Sequence, residues 1–126
     1  MVIFFQENAG NLGLRLDYFK ELYSNLECDV LAVAYRGYGR SSGKPSEEGL
    51  KLDSDAVMDY FVKELADHYV KRGGVYVIGR SLGGAVAAHS IASLSEEHLS
   101  KIDGLILENT FTSIEDMADH MFGPIG

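Results

Sequence analysis

Residues 75–89 read Val-Tyr-Val-Ile-Gly-Arg-Ser-Leu-Gly-Gly-Ala-Val-Ala-Ala-His. An apolar run of strand character breaks into Gly79-Arg80-Ser81-Leu82-Gly83 and continues as a helix of small residues. This is the G-x-S-x-G pattern with a strand before it and a helix after it, the context in which a serine stands clear of the backbone on a tight turn. Gly79 and Gly83 lack the β-carbons that would collide there, so the Ser81 hydroxyl can project above a sheet. The N–H of Leu82 opens the helix and faces the same space, where it can meet a developing oxyanion. The competing reading is an ordinary strand–Gly turn–helix crossover without chemistry.

Outward from that turn the chain alternates strands and helices. Val2-Ile3-Phe4-Phe5 is a buried-strand run, followed by the loop Gln6–Asn11. Leu12, Leu16, Phe19, Leu22, Tyr23 and Leu26 recur at three- and four-residue spacing, the stripe of an amphipathic helix. Val30-Leu31-Ala32-Val33-Ala34-Tyr35 is apolar throughout, as a strand buried on both faces of a parallel sheet would be. The loop 36–45 is rich in Gly and Pro, and Ser46 with Glu47 and Glu48 opens a helix whose expected inner face is Leu50, Val57, Phe61 and Leu65, with Tyr60 alongside. Gly73-Gly74 closes that connection, Val75–Ile78 is the third strand, and the helix of the turn runs from about Ser81 to Leu94. Gly104–Glu108 is a fourth strand, and Ser113 with Asp116 caps a last helix ending at Gly123-Pro124. Each crossover contains a helix, which specifies an α/β fold: a parallel sheet of about four strands with helices on both faces. Function in such sheets sits beyond the carboxyl ends of the strands, so the informative loops are 6–11, 36–45, 79–84 and 108–113.

Composition narrows the classes. The 126 residues suit one domain, with 46% apolar and 24% charged content typical of a soluble globular chain. A net charge of −8 argues against nucleic acid or an anionic membrane surface as an electrostatic partner. The single Cys28 excludes an internal disulfide framework and fits a reducing compartment. No apolar stretch approaches the length of a membrane span, so membrane attachment is expected only through segments not present here. Nucleotide binding fails in detail. Ser42 stands where G-x-G-x-x-G needs its third glycine, and Ala85-Val86 occupy the Lys-Ser/Thr positions of a P-loop.

Four motifs carry a resemblance. Asn8-Ala9-Gly10-Asn11, Tyr35-Arg36-Gly37-Tyr38-Gly39-Arg40-Ser41, Gly79-Arg80-Ser81-Leu82-Gly83-Gly84 and Glu108-Asn109-Thr110-Phe111 fall in the order and spacing of α/β-hydrolase-fold serine hydrolases. The chain is most similar to the α/β-hydrolase domain-containing group, over nearly its whole length. The resemblance implies that residues 1–126 are a single partial domain, the third to sixth strands of the family sheet. It makes Ser81 the nucleophile and places the oxyanion hole at the backbone N–H groups of Leu82 and of the loop near Asn8, with Gly79 and Gly83 framing the elbow. It implies acyl transfer from an ester, thioester or amide, carried by a small molecule or an acylated protein, with no metal and no organic cofactor.

The sequence departs from the family in two places. Gln6-Glu7 replaces the His-Gly that precedes Asn-Ala-Gly-Asn, and Ala34 replaces an Asp before the Tyr-Arg-Gly-Tyr-Gly loop. A Glu7 carboxylate turned toward the site would oppose an oxyanion, whereas one turned to solvent would be harmless. The acid and base of the triad follow the serine on later strands in this fold, and neither loop is in this sequence. His89 stands eight residues after Ser81, about 12 Å along a helix axis. All four histidines, His68, His89, His98 and His120, read as surface groups. Glu108, which could serve as an acid at the end of its strand, reads rather as holding the adjacent loop. The chain thus reads as the nucleophile-bearing part of a hydrolase, inactive alone, with sheet edges prone to self-association. The alternative is a non-catalytic binding or scaffold protein that retains the fold.

Overall fold

The computed structural model describes residues 1–7 and 12–110, without the side chains of Leu12 and Leu14. Four strands form one parallel sheet: β1 (Val2–Phe5), β2 (Val30–Ala32), β3 (Tyr76–Arg80) and β4 (Gly104–Glu108), in the order β2-β1-β3-β4. The register pairs Val2 with Val30 and with Tyr76, and Ile78 with Ile106. Between the strands lie α1 (Leu16–Leu26), α2 (Glu47–Tyr60), α3 (Ala66–Val70), α4 (Leu82–Ala92) and α5 (Glu96–Leu99).

Strand alternation sorts the side chains onto two faces. Ile3, Phe5 and Val77 point into the main core with Leu50, Met58, Phe61, Leu82 and Val86 of the α2–α4 side. Val2, Phe4 and Ile78 point the other way, against Tyr18 and Phe19 of α1. Helices therefore cover both faces, as the alternating pattern predicts.

Three local expectations need correction. The apolar run 30–35 forms a strand only over Val30–Ala32, and those residues are half-buried. Tyr35, beyond the strand, is the residue of that run that is fully buried. The stripe read along α1 is only partly an inner face. Leu16, Tyr23 and Leu26 are exposed, Leu26 at 64%, while Tyr18 and Phe19 make the contact with the sheet. A one-sided period cannot tell which flank of a broad stripe meets a small sheet.

The helix after Ser46 is the third case. It runs to Tyr60, passes through a π-helical turn at Phe61–Leu65, and resumes as α3. Leu50 and Phe61 are buried as expected, Val57 and Leu65 only half-buried, while Met58 and Ser54 join the interior unforeseen. Leu50, Ser54, Met58 and Phe61 follow one another at spacings of four, four and three residues, the inner face of a regular helix. That face leaves Val57 on its flank and Tyr60 exposed, and the wider turn begins only at Phe61. The short α5, capped by the Ser95 side chain accepting from the His98 N–H, lies in what the sequence presents as polar connection. The last expected helix, from Ser113, lies outside the described residues.

The start of α2 follows the sequence. Ser46 is extended and its Oγ accepts from the Gly49 N–H at 2.9 Å, with Glu47 and Glu48 in the first turn. Ser46→Ala is expected to cost about 1 kcal/mol. Equilibrium urea unfolding measures it, and a change near zero would mean that water replaces the cap without loss.

Candidate active site

The carboxyl ends of β1, β3 and β4 converge on Ser81. Ser81 has φ 53° and ψ −120°, between the end of β3 and the first residue of α4. A non-glycine residue at positive φ costs on the order of 1–3 kcal/mol and persists only where its surroundings hold it. Here both backbone polar groups of Ser81 are held. Its N–H donates to the Glu108 carbonyl at 2.8 Å, and its carbonyl accepts from the Gly84 N–H and the Thr110 hydroxyl, each at 2.9 Å.

The glycines of the turn are there for space. A β-carbon on Gly79 would come within 2.3 Å of the Gly83 carbonyl oxygen, and one on Gly83 within 1.8 Å of the Phe5 oxygen. The amino end of α4 is thus pressed against the end of β1. A β-carbon on Gly84 would meet the Thr110 hydroxyl at 2.0 Å. Leu82 buries its side chain completely in the main core and is the first residue of α4. Its N–H is one of the four at a helix start that have no acceptor within the helix. The positive end of the helix dipole adds to its attraction for negative charge. Asn8, the other expected donor position, lies outside the described residues.

Glu7 is not free in solvent. Its carboxylate pairs with the Arg15 guanidinium and stands 3.9 Å from Arg80 Nε, which stands 3.9 Å from Glu108. Two carboxylates and two guanidinium groups therefore alternate across the strand ends, so the charge introduced by Glu7 is locally compensated. With Arg80 partly exposed, each of its long contacts contributes little stability.

Beneath this layer, the loop 36–45 is anchored to the site through Tyr35. Its hydroxyl donates to the Gln6 backbone carbonyl at 3.0 Å. Burial, reinforced by nearby Tyr38 and Asp53, pushes the Tyr35 phenol well above the ordinary tyrosine range, which keeps it a donor. Arg36 ties the same loop to α2. Its backbone N–H and its guanidinium both donate to Asp53, at 2.8 to 3.0 Å. Gly37, at φ 78°, sits where a β-carbon would strike the Pro45 ring. The Gln6 carboxamide is fully buried and has no hydrogen-bond partner among the described residues.

The histidines stand elsewhere. His89 lies 3.7 Å from Asp55 of α2 and beside Ser93, tied to the seam of α2 and α4. His68 packs edge-on against Tyr69 and lines a cleft of about 600 Å³ with Cys28, Asp29 and Arg72. That cleft also takes in Met1, Gly74 and Tyr76, at the amino ends of the strands, away from Ser81. His98 sits on α5, and His120 is outside the described residues. Glu108 holds the turn through its backbone and faces Arg80 with its carboxylate. Among the described residues, no group of His, Cys, Asp and Glu is placed to hold a metal, and no helix is long and apolar enough to cross a membrane.

Arg15 is a contributor that sequence reasoning missed, and Thr110 stands in an informative loop where the sequence assigns it no role. Arg15 ends the turn Leu12–Arg15 beside the apolar stripe, so nothing local signals its pairing with Glu7.

Comparison with known proteins sharpens the picture. The family profile described as serine aminopeptidase, S33, matches residues 12–124. The chain is 43% identical over 122 residues to Protein bem46 of Schizosaccharomyces pombe, covering 96% of this chain and 38% of that protein. It is 44% identical over 117 residues to the alpha/beta hydrolase domain-containing protein WAV2 of Arabidopsis thaliana, covering 93% of this chain and 36% of the relative. Lysophosphatidylserine lipase ABHD12 of Mus musculus is 36% identical over 128 residues, covering 99% of this chain and 30% of the lipase. Among solved structures, an Agrobacterium vitis S4 protein described as a hydrolase superposes with a TM-score of 0.68 at 18% identity, covering 99% of this chain and 46% of that one. The chain thus spans well under half the length of the relatives it matches.

Proposed function

The chain belongs to the α/β-hydrolase family matched by the serine aminopeptidase profile, and on that premise we propose that it is a serine hydrolase whose nucleophile is Ser81. The observation that carries the reading is the backbone of Ser81, bent to φ 53° between β3 and α4 and framed by two glycines that cannot bear a side chain. A hydroxyl so presented can attack an acyl carbonyl at the carboxyl edge of the sheet.

In this reading the four strands correspond to the third to sixth of the family sheet. The Leu82 N–H and an amide near Asn8 receive the oxyanion of the tetrahedral intermediate. Collapse of that intermediate expels an alcohol, thiol or amine and leaves an acyl group on Ser81 Oγ, and water then releases the acid. The substrate is an acyl ester, thioester or amide, of a small molecule or an acylated protein. The lipase among the relatives supports the ester side of that range. Glu7 does not oppose the reaction, because Arg15 and Arg80 flank it. The acid and base are assigned to no described residue.

The test is covalent labelling with a fluorophosphonate. The whole chain is substituted for the matching 122 residues of the fission yeast relative, so that the site has the relative's remaining sequence around it. Labelling at Ser81 is expected, and its complete loss in Ser81→Ala. An unlabelled protein, or labelling that survives Ser81→Ala, would sink the nucleophile assignment. The second reading, a binding or scaffold protein that keeps the fold, draws on Gln6-Glu7 standing at the family's His-Gly positions. It predicts a folded, unlabelled hybrid.

A further inference from the structure

The Ser81 carbonyl and the Leu82 N–H belong to one peptide plane and, in a trans peptide, point in opposite directions. No peptide in the described chain is cis. Whatever grips the Ser81 oxygen therefore aims the Leu82 N–H. Two groups grip it. The Gly84 N–H, at 2.9 Å, comes from the first turn of the same helix and is available to any sequence that starts a helix there. The Thr110 hydroxyl, also at 2.9 Å, reaches in from 29 residues away, just beyond β4.

The local packing is arranged around that hydroxyl. Gly84 has no β-carbon where one would lie 2.0 Å from Thr110 Oγ1 and 2.3 Å from its Cβ. The side chain can therefore lie against α4 and reach the Ser81 oxygen. The Ser81 N–H is meanwhile engaged by Glu108, two residues before Thr110. The end of β4 thus holds both polar groups of Ser81 from outside the turn.

We infer that Thr110 is a positioning residue that fixes the 81–82 peptide plane and so directs the Leu82 N–H toward the oxyanion. This rests on the serine hydrolase reading. Among the described residues the Thr110 hydroxyl bonds the Ser81 carbonyl, and the inferred effect runs through that group.

Thr110→Val keeps the side chain's shape and removes the hydroxyl, and Thr110→Ser keeps the hydroxyl and removes the methyl group. Two measurements, made on the hybrid in which this chain replaces the matching residues of the fission yeast relative, separate positioning from packing. The first is the pair of NMR shifts that report on this peptide, the Ser81 carbonyl carbon and the Leu82 amide nitrogen. Both are expected to move in Thr110→Val and to stay near wild type in Thr110→Ser. The second is the rate at which excess fluorophosphonate modifies Ser81, read by intact mass. It is expected to fall about tenfold in Thr110→Val, a part of the hundredfold or more lost with an oxyanion donor, and to recover in Thr110→Ser.

Unmoved shifts in Thr110→Val, or equal changes in both variants, would overturn the inference. So would a Thr110→Val protein modified as fast as wild type, or a slower rate matched by a proportionate fall in thermal midpoint. Should wild type and Ser81→Ala prove equally unreactive, that result counts against the hydrolase reading. The two shifts then decide the role of Thr110 by themselves.

Discussion

Gly83→Ala is expected to destabilise the protein by about 3 kcal/mol, the upper part of the range for overpacking a close-packed site. The added methyl group would lie 1.8 Å from the Phe5 carbonyl oxygen and 2.7 Å from that of Gln6. These are backbone atoms at the end of β1, which pairs with β2 on one side and β3 on the other. No side-chain rotation can relieve such a contact, so either α4 or the strand end must move. Moving α4 also disturbs the turn at Ser81, and labelling should fall together with stability. Gly73→Ala is the control. Nothing lies within 4 Å of its β-carbon position, and a change within about 0.5 kcal/mol is expected there. Chemical denaturation of both variants decides the matter, and equal free energies would contradict the close approach of α4 to β1.

The other large effect lies on the opposite face of the sheet. Phe4→Ala is expected to cost about 3–5 kcal/mol, the range for emptying a buried aromatic site. The Phe4 ring is buried, with its centroid 5.5 Å from that of Tyr18 and 5.2 Å from that of Phe19, the latter edge-on. No residue of α1 is itself fully buried. The helix is therefore held to the sheet by a few half-buried side chains gathered around Phe4. Native-state hydrogen exchange should show the α1 amides losing protection first, ahead of those in α4. Uniform loss across both helices, or a cost below 1 kcal/mol, would show that α1 is anchored by something other than this aromatic group.

The two faces also differ in how far the sequence announces them. The main core is legible because Ile3, Phe5 and Val77 alternate along their strands and Leu50 and Phe61 lie on a helical stripe. The α1 side is not, since its stripe is broad and the sheet meets only one flank of it, at Tyr18 and Phe19. The helix from Ser46 shows the same limit. Its cap is local and readable, whereas the π-helical turn at Phe61–Leu65 depends on how α2 is accommodated against the rest of the fold. In the run 30–35 the strand stops at Ala32 and the fully buried residue, Tyr35, lies beyond it, because apolarity marks burial and not which residues pair with a neighbour.

At the candidate site the division is similar. Strand, turn and helix around Ser81 follow from residues 75–89, because backbone conformations of this kind are set by glycine placement over a few positions. The same sequence leaves the direction of Glu7 open between the site and the solvent. The fold resolves it by bringing Arg15 and Arg80 to the carboxylate.

The amino-acid order alone thus determined the parallel alternation of strands and helices and the sharp bend that presents Ser81, since both arise from short-range pattern and steric allowance. Tertiary structure alone decided what holds that bend: the Glu108 carbonyl on its N–H, the Thr110 hydroxyl on its oxygen and β1 beneath Gly83. Those contacts join residues some 27 to 78 positions apart, counted as 81 to 108 and 5 to 83. No local pattern encodes a contact whose two halves meet only when the sheet has formed.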